Sequence, residues 1–225
     1  EHNLTLLQNL DAFASLEKPM LLAVSRKSCL DYSLEKTVKW SVEAARHGVS
    51  MARVHDVKPN KEAVEAWQKK EKEVLIAFGA NLGNREETIQ KGIRALEKFG
   101  RVVKVSKIRE TEPYGVENQP KFLNGALLFL TKLEPLPLLR VLKQIEREQG
   151  RTETYRWGPR TLDLDIIYYE NLILQHPDLC IPHPDRCNRA FVLNPIAEIA
   201  PEKKDPIEGK TVSELAEELT YGKSN

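Results

Sequence analysis

The sequence predicts an α+β fold: a ferredoxin-like βαββαβ sandwich over residues 73–225, preceded by an incomplete α/β segment over 1–72. Three observations carry this. From residue 74 onward, apolar runs and amphipathic stretches follow in the order strand, helix, strand, strand, helix, strand. Before residue 72, only two short strand patterns alternate with helical ones, too few to close a layer or a barrel. Between them lies KKEKE (69–73), which reads as a linker or, equally, as a solvated helix end.

The elements follow in order. Leu4, Leu7, Leu10 and Phe13 recur at near-helical spacing, and MLLAV (20–24) reads as a short buried strand. Residues 37–47 form a helical pattern, 51–57 alternate like a strand, and 63–72 are helical and highly charged. VLIAFGAN enters a turn, and Asn84 with Glu87 three residues on marks a helix start. The helix over 86–99 turns Ile89, Ile93 and Leu96 inward and stops at Gly100. Then come a strand at 101–112, a loop with Pro113, Gly115 and Pro120, a strand at 122–130, a helix at 135–149 closed by Gly150, and a strand at 161–169. Beyond Asn171 the pattern is one of short, proline-punctuated segments, with a last helix near 211–220 begun by Thr211 and Glu214.

Composition narrows the function classes. Charged residues make up 30% of the chain yet balance to +1, which argues against a general binder of nucleic acid or membrane surfaces. No apolar run approaches the ~20 residues that cross a bilayer. Cys29, Cys180 and Cys187 form no paired knuckle, so free thiols in a cytoplasmic, reducing setting are expected rather than zinc. The chain starts at Glu1 rather than Met, which reads as a processed product, a trimmed chain or a fragment.

The chemistry concentrates in RWGPRTLDLDI (156–166). On a strand, Asp163 and Asp165 share one face while Leu162, Leu164 and Ile166 take the other. Two strand rises separate them by roughly 6.6 Å, at which two carboxylates repel by about 2.5 kcal/mol for an effective dielectric near 20. Divalent cations offset this directly, magnesium preferring carboxylate oxygens together with substrate phosphates. The competing reading has one aspartate capping a turn and the other paired with Arg160. Arg151, Arg156 and Arg160 precede the pair and Arg189 follows it, an arrangement suited to gripping a polyphosphate.

These residues also carry a resemblance. RWGPRTLDLDI, FGANLGN (78–84), ETEPYGVENQPKFLNGAL (110–127) and IPHPDRCNRAFVL (181–193) closely resemble the 6-hydroxymethyl-7,8-dihydropterin pyrophosphokinases over about 74–220. The resemblance implies a ferredoxin-like fold and transfer of pyrophosphate from ATP to 6-hydroxymethyl-7,8-dihydropterin, with two Mg²⁺ ions. It places Asp163 and Asp165 on the metals, and Arg151 and Arg160 on the ATP phosphates. Trp157 falls in a closing loop. Asn124 is placed at the pterin edge, Phe122 and Phe191 on either side of its ring, and Thr111 and Tyr114 in its lining. Glu146, His183 and Arg189 fall on the ATP side. The residues alone leave alternatives: Phe122 and Phe191 as core aromatics, Glu146 paired along its helix with Lys143 or Arg147, His183 as a turn filler. The chain departs from the family pattern at Pro184, where an aromatic is common, and at Glu153, an acid in a loop often more basic.

AVSRKSCL (23–30) and MARVHDV (51–57) resemble the last two βα units of dihydropteroate synthase, a (β/α)₈ barrel. The matching Lys27, Arg53 and His55 bind pterin and pyrophosphate in that family. Here they read as vestigial, because a complete barrel takes ~250 residues. The segment is expected to pack loosely, its strands having lost neighbours, and the resemblance implies association with other folate-pathway enzymes. Two functions follow: a Mg²⁺-dependent pyrophosphokinase, or a non-catalytic ligand-binding or docking module of a fused folate-synthesis protein. Metal-dependent binding of an ATP analogue separates them.

Overall fold

Residues 1–71 together with 174–180 form one unit, and residues 72–173 with 181–225 form the other. The computed structural model describes residues 2–10, 12–13, 18–115, 119–151 and 158–221.

In the first unit, helix α1 (His2–Gln8) precedes strand β1 (Leu21–Leu22), helix α2 (Leu34–Arg46), strand β2 (Met51–Ala52) and helix α3 (Val57–Lys69). The two strands pair in parallel, Leu21 opposite Met51 and Leu22 opposite Ala52. The strands expected over 20–24 and 51–57 are thus two residues each. Among the described residues they pair only with each other; Leu21, expected in a buried strand, is 56% exposed, and Met51 is 52% exposed. Ser33 caps α2 by accepting the Lys36 N–H. A buried bond from the Ser41 hydroxyl to Asn60 Oδ1, 2.7 Å, ties α2 to α3. The buried apolar cluster comprises Leu7, Val24 and Leu30, with Leu4, Leu22, Cys29 and Trp40 packed against it.

The second unit is built on one sheet. Strand β3 (Lys72–Ala80) leads through α4 (Arg85–Leu96) to β4 (Gly100–Val105), β5 (Arg109–Thr111) and β6 (Phe122–Thr131). Helix α5 (Pro135–Glu148) then leads to β7 (Asp163–Tyr169). The spatial order is β4-β6-β3-β7, all pairs antiparallel, with β5 also on β6. Because β3 is central and covered on both faces, its burial runs unbroken from Val74 to Ala80. Asn84 caps α4 as its spacing with Glu87 predicts, accepting the Glu87 N–H and donating to its carboxylate. The single strand expected at 101–112 is broken into β4 and β5. At the break the Ser106 hydroxyl, in place of a main-chain carbonyl, accepts the Ala126 N–H at 2.9 Å.

Strands β8 (Leu174–His176) and β9 (Leu179–Ile181) pair with each other, and α6 (Ala190–Ile199) and α7 (Val212–Tyr221) complete the chain. Thr211 and Glu214 cap α7 reciprocally. Helix α6 was hidden in the sequence by Pro195, which sits inside it and removes one intrahelical donor. It survives because Val192, Leu193, Ile196 and Ile199 pack with α7 residues against Leu75, Ala77, Ala126 and Leu128 of the sheet.

One irregularity matters for the site. Asp163 pairs with Gly79, Asp165 with Ala77, and the alternating Leu164 and Ile166 are buried, so the period-two reading of the acid pair holds. The register then shifts: Ile76 pairs with Ile166 but Leu75 pairs with Tyr168. The extra residue, Ile167, turns Tyr168 onto the face of the two aspartates.

Candidate active site

A cavity of about 420 Å³ opens on that face of the sheet, next to the start of α6. Ten of the residues singled out in the sequence line it: Asp163, Asp165, Arg151, Arg160, His183 and Arg189 from the charged set, and Tyr114, Phe122, Asn124 and Phe191 from the flat or amide-bearing set. Trp157 lies outside the described residues.

The acid pair is asymmetric. Asp163 accepts hydrogen bonds from Arg151 Nη1 at 2.8 Å and from Arg160 Nη1. The reading that paired an aspartate with Arg160 is therefore met by Asp163, inside the cavity rather than instead of it. Burial acts to raise the Asp163 pKa, but Arg160, Lys143 and Arg151 outweigh it and hold the carboxyl below its ordinary value. Asp165 has a weaker counter-charge, Lys143 Nζ at 3.9 Å. Burial and the adjacent Asp163 charge push its pKa up.

Two groups behind the cavity hold these side chains. Glu146 on α5 is 1% exposed; its Oε1 accepts the Leu164 N–H at 2.7 Å and Lys143 Nζ at 3.0 Å, and its carboxylate pairs with Arg151. Glu146, which the resemblance places on the ATP side, thus has little surface of its own, and the pairing along its helix with Lys143 is present alongside its contact with Arg151. Asn81, read in the sequence only as part of a strand-to-helix turn, is 2% exposed. It accepts the Arg160 N–H at 2.7 Å and donates to the Pro120 carbonyl at 3.0 Å, fixing the ends of two site loops. The sequence signal was an amide at the end of a buried strand, where an unsatisfied polar group is costly.

On the flat side, Asn124 Nδ2 donates to Thr111 Oγ1 at 2.7 Å, so Thr111 reaches the site through Asn124. Asn124 faces Gly79 across the strands; a Cβ there would meet Asn124 Oδ1 at 2.4 Å, so only glycine lets the amide lie over β3. Tyr114 and Phe191 pack with ring centroids 5.9 Å apart at 56°, and the Arg189 guanidinium sits 5.6 Å from the Tyr114 centroid. Arg189 also pairs with Asp185 at 2.8 Å. His183 Nδ1 accepts the Asp185 N–H at 3.2 Å. Burial lowers the His183 pKa, which favours the neutral ring, and Nδ1, as acceptor of the Asp185 N–H, leaves a ring proton to Nε2.

Residues 75–201, more than half of the chain, match the family described as 7,8-dihydro-6-hydroxymethylpterin-pyrophosphokinase (HPPK). The chain belongs to this family. It is 43% identical over 144 residues to the 2-amino-4-hydroxy-6-hydroxymethyldihydropteridine pyrophosphokinase of Pseudomonas aeruginosa, covering 63% of this chain and 88% of that one. It is 44% identical over 133 residues to a mitochondrial folate synthesis bifunctional protein of Arabidopsis thaliana, covering 59% of this chain but only 24% of that longer one. The wild-type HPPK-DHPS of Plasmodium falciparum, solved with pteroate, shares the fold at a TM-score of 0.55 and 16% identity, over 68% of this chain and 43% of that one.

Residues 1–55 match a second family, described as pterin binding enzyme. Within the first unit, Lys27, Arg53 and His55 are all exposed. The Arg53 N–H donates to the Leu22 carbonyl at 2.7 Å, and His55 meets the Ser25 hydroxyl through its N–H and Nδ1. Cys29, Cys180 and Cys187 are free thiols, and the described residues contain no cluster of three or more metal-ligating groups. No helix among them is long and apolar enough to cross a membrane.

Proposed function

We propose that this chain transfers the pyrophosphoryl group of ATP to the hydroxymethyl oxygen of 6-hydroxymethyl-7,8-dihydropterin, releasing AMP and the pterin diphosphate. The carrying observation is one cavity in which an acid pair and three arginines meet two aromatic walls and a strand-borne amide. In this reading Phe122 and Phe191 enclose the pterin ring, and Asn124, its Nδ2 held by Thr111, hydrogen-bonds the ring edge. Arg151, Arg160 and Arg189 grip phosphate oxygens, and neutral His183 donates from Nε2. Transfer of this kind asks for positioning and charge stabilisation rather than covalent help, which matches what these side chains offer.

The donor set fits magnesium of a particular kind. Two carboxylates on one face are hard oxygen ligands, too few for an all-protein cage but enough for ions whose coordination is completed by phosphates and water. Asp163 and Asp165 would hold two Mg²⁺, which would neutralise charge on the transferring phosphates. We further read the strand order of the second unit as ferredoxin-like and place a domain boundary at residues 71–73, where the chain enters β3. The fused relatives and the match of residues 1–55 support association with other folate-pathway enzymes. AMP release from ATP tests the reaction: it should require both the hydroxymethyl pterin and Mg²⁺, and a folded protein without turnover would overturn the reading.

A further inference from the structure

Behind the loop that carries His183 and Arg189 lies a buried polar network with no part in the contacts described so far. Arg186, in the short 3-10 turn Arg186–Asn188, is 4% exposed. Its Nε and Nη2 both donate to Asp205, the second at 2.8 Å, and its Nη1 donates to the His183 carbonyl at 3.3 Å. Asp205 is 1% exposed. It also accepts the Tyr168 hydroxyl at 2.8 Å and the N–H groups of Ile207 and Glu208 at 2.8 and 3.0 Å. Burial opposes its charge, yet Arg186 and those N–H groups hold its pKa at about 2.

Two features make this more than core packing. Tyr168 faces Asp205 because the extra residue Ile167 shifts the register of β7, placing Tyr168 on the same face as Asp163 and Asp165. The network therefore joins the acid-bearing strand to the 183–189 loop, which is held to the same strand by the His183 N–H on the Ile167 carbonyl at 3.0 Å. A buried ion pair is also a poor source of stability compared with apolar side chains of equal volume. What a guanidinium fork supplies is direction, since its planar N–H groups fix both partners in orientation.

We propose that Arg186 is a positioning residue for the nucleotide side of the site: braced by Asp205 and Tyr168, it sets where His183 and Arg189 stand relative to the aspartate pair. This rests on the reaction proposed above and assigns Arg186 no contact with substrate. The test uses the full chain. Calorimetric binding of a non-hydrolysable ATP analogue with Mg²⁺ is measured alongside KM for both substrates, in wild type, Arg186→Met, His183→Ala and the double variant. Arg186→Met should weaken analogue binding and raise KM for ATP about tenfold while moving KM for the pterin less than about twofold. Added to His183→Ala, it should cost less than about a further threefold, because both changes disturb one unit. A fall in melting temperature with both KM values unchanged, or an equal rise in both, overturns the proposal. If Arg186→Met does not fold, Tyr168→Phe removes one hydrogen bond and no charge. It should weaken analogue binding alone by about threefold, and unchanged binding there overturns the proposal equally. A wild-type protein that bound the analogue but released no AMP would strike the reaction, while the binding comparison would still judge Arg186.

Discussion

The two units of this chain use the same raw material differently. In the first, among the described residues, β1 and β2 pair only with each other, and Lys27, Arg53 and His55 are exposed. In the second, β3 has two neighbours, and several charged groups of the cavity are backed by other elements: Asp163 by Arg151 and Arg160, Arg151 by Glu146, and the Arg160 main chain by Asn81. Side chains of the right type become a site only when something behind them fixes their direction. A buried carboxylate or amide can do so only where strands and helices pack closely enough to keep water away.

The largest effect that sharpens this contrast is at Asp165. Asp165→Ala should lower pterin-dependent AMP release by at least about 10³-fold, the scale on which a lost centre of charge stabilisation acts. The melting temperature should hold or rise, because the substitution removes a like charge beside Asp163 and the burial cost that raises the Asp165 pKa. Turnover within about tenfold of wild type would show that the acid pair does not organise the reaction.

That pair was also the most legible part of the molecule. Period-two alternation and the Leu164 between them fixed the face of both acids without any tertiary information. The aromatic and amide residues were legible through resemblance, since nothing in a single sequence separates Phe122 as a cavity wall from Phe122 as core. The supports were not legible. Glu146 was placed on the ATP side by resemblance and beside Lys143 or Arg147 by its helix spacing. Its 1% exposure and its bond to the Leu164 N–H depend on how α5 meets β7. Lys143, which lines the cavity between Glu146 and Asp165, drew notice only as a helix partner for the same reason. Helix α6 and the bulge at Ile167 were missed because each breaks a local rule, Pro195 inside a helix and a skipped residue in a ladder. Both are held by packing against α7 and β3.

An intermediate effect should appear in backbone dynamics. The Arg53 N–H on the Leu22 carbonyl and the Met51 N–H on the Met20 carbonyl are held in a ladder of two pairs. The amides of β3 and β6 belong to a ladder of nine. Native-state hydrogen exchange should therefore run at least about a hundredfold faster for residues 21–22 and 51–53 than for 74–79 and 123–128, local opening costing little where few buried contacts must break. Equal protection would show that the first unit is as firmly held as the second, and that the length of the ladder does not govern its stability.

The smallest expected effect is the most demanding of the comparison. Lys27, Arg53 and His55 have the residue types of a pterin and pyrophosphate site, in a segment that matches a pterin binding family. If residue type alone made function, replacing all three by alanine would disturb pterin handling. Within the first unit each is exposed, and the polar contact of His55 with Ser25 joins the segments that follow β1 and β2. The triple alanine variant should therefore change KM for the pterin and kcat by less than about twofold, the scatter typical of surface substitutions. A clear rise in the pterin KM, with the fold intact, would mean that exposed charges in the first unit take part in substrate capture, and the division between a supported site and an unsupported relic would fail.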